Sequence, residues 1–137
     1  MTEKDEAQKP DNGGVEERLA RQGRVSYLEI PAVDAEQSAA FYEAVFGWRV
    51  ERRPTGHRNF DDGGGGLIGR WATDRAVSRE PGLLPYIYVD GIDATVERIL
   101  KQGGEVVEAP YPEGDLWVAR FRDPAGNLMG IWQAGPR

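Results

Sequence analysis

The stretch YLEIPAVDAEQSAAFYEAVFGW, residues 27–48, decides the fold. Residues Val25–Ile30 alternate and stop at Pro31, the pattern of a half-buried strand. Asp34 with Gln37 three residues on has the form of a capping box, so a helix starts there. Ala35, Ala39, Tyr42, Val45 and Phe46 fall near helical spacing on one face, and Gly47 ends it. Working outward, Trp48–Arg52 reads as a strand. Thr55–Asp61 and Leu67–Trp71 read as two more, around the turn Asp62-Gly63-Gly64-Gly65-Gly66. The order is β-α-β-β-β.

The same order returns in PYIYVDGIDATVERILKQGGEVV, residues 85–107. Leu84–Val89 is a strand, Ile92, Val96, Ile99 and Leu100 share a helical face, and Gly103-Gly104 ends that helix. Glu105–Glu108 is a strand, Ala109–Asp115 a loop, and Leu116–Arg122 and Leu128–Gln133 form a hairpin around Asp123–Gly126. A shift of 57 sets Ile30 on Ile87, Tyr42 on Ile99 and Gly47 on Gly104. For the hairpins a shift of 61 sets Phe60 on Phe121, Asp62 on Asp123, Gly69 on Gly130 and Trp71 on Trp132. Two repeated units, residues 24–72 and 83–134, follow, joined by the polar linker Thr73–Gly82. They make one domain over residues 24–135. Residues 1–23 carry too little apolar surface to offset the entropy of ordering, which predicts a disordered, charged tail, with a partner-binding arm as the alternative.

Composition removes several chemistries. The 137 residues carry a net charge of −6, and no basic stripe suited to a nucleic-acid backbone is visible. With no Cys and a single His, His57, thiolate and His-rich metal sites are excluded, and a surface position is the reading for His57. No run approaches a membrane span and the acidic start has the wrong sign for a signal peptide, so the cytoplasm is expected. The Asp61–Gly66 run lacks the Lys-Ser/Thr of a phosphate loop and the Glu spacing of a calcium loop; it reads as a turn.

With FRDPAGNLMGIW, residues 121–132, as the most specific piece, the chain from Val25 to Gln133 resembles the vicinal oxygen chelate superfamily: glyoxalases, bleomycin-resistance proteins and extradiol dioxygenases. The resemblance implies an α+β fold in which two βαβββ modules form a curved, cup-shaped mixed sheet with helices on its outer face. In metal-using members four side chains enter the cup, and their positions carry over to Tyr27, Gly69, Leu84 and Gly130. None of the four is a usual ligand, so no metal and no other cofactor is expected. Pairing of modules within or between chains is common in the family, which predicts a homodimer.

Period-2 sorting then assigns Tyr27, Glu29, Leu67, Gly69, Trp71, Leu84, Tyr86, Tyr88, Leu128, Gly130 and Trp132 to the cup. Leu28, Ile30, Ile68, Ile87, Val89, Met129 and Ile131 go under the helices, with Arg70 an exception placed at the rim. An aromatic pocket on one cavity, with room left by two glycines, suits a small aromatic or amphipathic organic ligand. The competing reading is that the same rings fill the cup as core. Glu29 is the candidate general base or acid, working with Tyr27 or Tyr86, and Ala109–Asp115 the candidate flap. Three functions follow: sequestration or sensing of a small molecule without metal; a metal-independent lyase, isomerase or cyclase using Glu29; or a protein-interaction module with a filled cup.

Overall fold

The first helix is held at both ends by the residues the sequence singles out. In the computed structural model, which describes residues 16–137, the Asp34 carboxylate accepts the Gln37 N–H at 3.0 Å and opens α1 (Ala35–Phe46). Gly47 closes it in the left-handed region at φ 72°, a conformation that costs a side-chain-bearing residue more than it costs Gly. The second helix, α2 (Ile92–Lys101), is opened from a distance: the buried Gln133 side chain accepts the Ile92 N–H at 2.8 Å.

The strands form two four-stranded mixed sheets. One has the order β1 (Tyr27–Pro31), β4 (Ile68–Ala72), β3 (Arg58–Asp61), β2 (Arg49–Arg52). The other has the order β5 (Tyr86–Tyr88), β8 (Leu128–Ala134), β7 (Leu116–Arg122), β6 (Glu105–Glu113). In both, the first strand lies parallel to the last and the rest are antiparallel, so the repeat seen in sequence is a repeat of topology. The fold is α+β with two modules.

Between the sheets and helices lies an aromatic core. Tyr42 stacks on Trp48, Trp48 on Phe60, and Phe60 packs at 4.9 Å from Trp71; Phe41 and Phe46 reach across to Phe121 of the second module. One polar knot ties the modules together. Asp123, 3% exposed, accepts the Tyr42 hydroxyl at 2.7 Å, the N–H groups of Ala125, Gly126 and Asn127, and the Asn127 side chain. Asn127 in turn donates to the Pro31 carbonyl and accepts the Ser78 N–H. A buried carboxylate needs this many donors, because each replaces a lost water.

Four expectations are corrected. The segment Ala109–Asp115 is not a flap: β6 runs on to Glu113, with register shifts between Val106 and Glu108 and between Glu108 and Tyr111. Pro110 and Pro112 are tolerated because β6 is an edge strand, where a missing N–H forfeits no ladder bond. The face of β4 is inverted. Six residues, 62–67, separate Asp61 from Ile68 in the first hairpin, whereas five, 123–127, separate Arg122 from Leu128 in the second. The extra residue puts Gly69 and Trp71 under the helices and Ile68 and Arg70 on the opposite face. Trp71 is 3% exposed in the core.

The third correction concerns convergence on one cavity. Tyr27 and Glu29 lie on one sheet and Tyr86, Tyr88 and Trp132 on the other, and no Cα of β1 comes within 8 Å of one in β5. The fourth concerns Gly130. The space beside it is taken by the Tyr86 ring, which a Cβ there would strike. Most of the tail expected over residues 1–23 lies outside the described residues. From Glu16 on there is a single 3-10 turn, Glu17–Leu19, and Arg18 donates to Asp61 at 2.8 Å.

Candidate functional site

Three of the four strands read for their faces keep the expected parity. Leu28 and Ile30, Ile87 and Val89, and Met129 and Ile131 pack toward the core, leaving Tyr27, Glu29, Tyr86, Tyr88, Gly130 and Trp132 on the helix-free faces. Tyr27, Tyr86 and Tyr88 are 50%, 40% and 48% exposed, high values for rings of that size.

On the N-terminal sheet this face is charged. Register places Glu29 directly beside Arg70, and Arg70 Nε donates to Glu29 Oε2 at 2.8 Å. Arg75, from the linker, reaches the other oxygen at 3.3 Å, and Asp74 lies 3.5 Å from Arg70. The Glu29 carboxylate raises the Arg70 guanidinium above its ordinary range by hydrogen bonding. Both oxygens of Glu29 are therefore held by cations.

On the C-terminal sheet the face is aromatic. The Tyr86 ring lies over Gly130, opposite in register, and Tyr88 meets Trp132 edge-on at 4.7 Å. Across β8, Arg120 Nε donates to the Tyr86 hydroxyl at 3.0 Å and its Nη1 to Glu108 at 2.7 Å. The guanidinium carbon stands 6.0 Å from the Tyr86 ring centre, within cation–π reach. Tyr111 stands near enough to Arg120 and Glu108 to feel their charges, and partial burial is the main cause raising its phenol above the usual value. Leu84 precedes β5 and is half-buried.

Arg120 and Glu108 are not among the site residues expected from the sequence, and Tyr111 enters there only within the candidate flap Ala109–Asp115. Continuing the period-2 count into β7 finds Arg120, because it lies opposite Gly130. The bulges in β6 break that count, so Glu108 and Tyr111 are not recoverable from it. Between the modules, Leu28, Ile30, Leu83, Pro85, Leu128 and Met129 help line an apolar cavity of about 300 Å³, with Glu29 and Arg75 also on its wall.

The family metal does not fit these positions. Tyr27 offers one phenol, Leu84 and Gly130 offer no donor, and on β4 the helix-free neighbour of Glu29 is a guanidinium, Arg70, where the family resemblance implies Gly69. Among the described residues no group of three or more His, Asp or Glu is arranged to hold an ion. None of their helices is long and apolar enough to cross a membrane.

Two βαβββ modules with this strand order define a class of fold. The chain belongs to the Glyoxalase/Bleomycin resistance protein/Dioxygenase superfamily, whose model matches residues 24–131. It is 32% identical over 118 residues to a glyoxylase-like domain-containing protein of Didymella fabae, covering 80% of this chain and 92% of that one. It is 30% identical over 128 residues to CFP32 of Mycobacterium tuberculosis, which carries the name glyoxylase, covering 83% of this chain and 47% of that one. The chain thus spans about half the length of the first curated relatives it matches. Among solved structures, a family enzyme from Burkholderia phytofirmans PsJN superposes with a TM-score of 0.66 at 22% identity, covering 80% of this chain and 97% of that one. TnmS3 from Streptomyces sp. CB03234, described as an antibiotic binding protein, gives 0.62 at 23%, covering 85% and 99%.

Proposed function

We propose that this chain is a metal-free member of the family that binds a small aromatic or amphipathic organic molecule, sequestering or sensing it in the cytoplasm. The observation that carries this reading is the helix-free face of the C-terminal sheet, where the exposed rings of Tyr86 and Tyr88 stand beside a half-buried Trp132. Flat apolar surface with hydroxyl and indole edges suits a planar ligand, and such surface left open to water marks a contact site. The description of TnmS3 as an antibiotic binding protein supports the same class of function.

A second copy completes the site in this reading. Ser26 and Ala32 direct backbone bonds to β4, so the alternate residues Tyr27 and Glu29 turn theirs to the free edge of β1. Pro85 and Val89 bond β8, which turns the Tyr86 and Tyr88 backbone to the free edge of β5. In a two-fold dimer, β1 of one copy beside β5 of the other unites the charged and aromatic faces. Sedimentation of the purified protein reads this directly, and a concentration-independent mass near 15.2 kDa removes the dimer.

The names of the curated relatives favour a second reading, an enzyme. Glu29 is its candidate base with Tyr27 beside it, although two guanidinium groups already hold the carboxylate. Native mass spectrometry of the protein as purified, followed by titration of the released compound, tests the binding reading. Trp132→Ala should abolish that binding. Turnover of the compound that is lost in Glu29→Gln while binding survives decides for the enzyme.

A further inference from the structure

Arg120 has more donors than its neighbours use. Of the five N–H groups of a guanidinium, Nε goes to the Tyr86 hydroxyl and one Nη1 hydrogen to Glu108. Nη2 bonds to no described residue, and the side chain is a third exposed. The donor edge is held in place from two sides, by Tyr86 and by Glu108, with the Tyr86 ring beside it and Trp132 two residues beyond Gly130 on the same face of β8. The carboxylates are differently placed. Glu29 is bound through both oxygens, and Glu108 is committed to Arg120. A cationic ligand would meet a resident cation already at the Tyr86 ring. An anionic one finds an oriented, partly unused fork, the geometry that suits a carboxylate.

We propose that Arg120 makes this face selective for planar aromatic anions, its free N–H edge taking the ligand's carboxylate or phenolate while the Tyr88, Trp132 and Tyr86 rings take its plane. The inference rests on the reading that this face is the ligand site. Glu108 then has a second role: it positions Arg120 and also competes with the ligand for it.

The test is calorimetric titration of the full chain with three probes of one shape: 2-naphthoate, neutral 2-naphthamide and cationic 2-naphthylmethylammonium. The expected result is naphthoate binding about tenfold tighter than the amide, the size of one charge-assisted bond, and the cation weakest. Arg120→Gln should bring naphthoate down to the level of the amide, with the amide unchanged within about twofold by the same reasoning. Glu108→Gln should tighten naphthoate and spare the amide, the opposite of what a purely structural Arg120–Glu108 pair gives. Circular dichroism establishes that each variant is folded. Equal binding of all three probes, or a preference that survives Arg120→Gln, overturns the charge selectivity and leaves the aromatic site standing. If no probe binds and none shifts the Trp132 indole resonance, the aromatic-site reading fails, and the selectivity fails with it.

Discussion

Glu29 and Tyr86 occupy the same place in the two modules, and their surroundings are opposite. Glu29 stands beside Arg70 in the register of β1 with β4, and Tyr86 stands beside Gly130 in the register of β5 with β8. One pair is an ion pair reinforced by Arg75; the other is a ring lying on bare backbone. The turns that precede their strand partners Arg70 and Gly130 diverge as well. Asp62 caps a surface turn through the Gly64 N–H, whereas Asp123 sits buried and collects donors from both modules. A duplicated topology therefore carries two divided tasks. The first hairpin presents charge, and the second joins the modules and presents aromatic surface.

The largest effect expected from this contrast lies in the two turn aspartates. Asp123→Ala strands the buried Tyr42 hydroxyl and Asn127 N–H and takes an acceptor from the Ala125 and Gly126 N–H groups and the Asn127 side chain, and should cost about 3–5 kcal/mol. Asp62→Ala releases one turn N–H and should cost less than about 1 kcal/mol. Urea unfolding of both variants measures the gap, and equal costs would break the comparison.

Next come the two glycines that a shift of 61 superposes in sequence. A Cβ on Gly69 strikes the Leu28 carbonyl of the neighbouring strand and the buried Phe60 ring, neither of which can move aside. The three atoms nearest to a Cβ on Gly130 all belong to the Tyr86 side chain, which is 40% exposed and has water, not packed core, on its outer side. Gly69→Ala should therefore destabilise by about 3 kcal/mol and Gly130→Ala by about 1 kcal/mol or less. The second should change ligand binding far more than stability. Melting temperatures of the pair, set beside a titration of Gly130→Ala, sharpen the point; the reverse order would return β4 to the parity expected from sequence.

A smaller effect concerns pH. Burial, then the charge of Asp123, pushes the Tyr42 phenol well above its ordinary value. The raised value means the native state keeps a proton that the unfolded chain loses from about pH 10 upward. The stabilisation is complete below that point and is lost as pH rises toward the folded value. Tyr42→Phe, compared with the parent chain by denaturation between pH 8 and 11, should flatten this loss. The smallest effect belongs to the exposed face: Glu29→Gln should leave the melting temperature nearly unchanged, because an ion pair this open to water contributes little.

Much of the fold is legible in the chain because its signals are local. Asp34 with Gln37, the left-handed Gly47, and the parities of β1, β5 and β8 each depend on a few neighbouring residues and came through intact. Arg120, Glu108 and Asp123 were not legible as functional or structural centres, because their partners lie 12 to 81 residues away.

The sequence by itself determined the two βαβββ modules, the ends of α1 and the faces of three strands, since periodicity and capping act within a single turn or strand. Only the tertiary structure decided which way β4 faces, because one extra residue in a glycine-rich turn rotates every side chain after it to the other side of the sheet. It also decided that Trp71 is buried in the core while Trp132 stays half-buried on the helix-free face, although the repeat makes them equivalent. And it decided that Arg120 meets Tyr86 across β8, a contact set by register between strands that no local signal encodes.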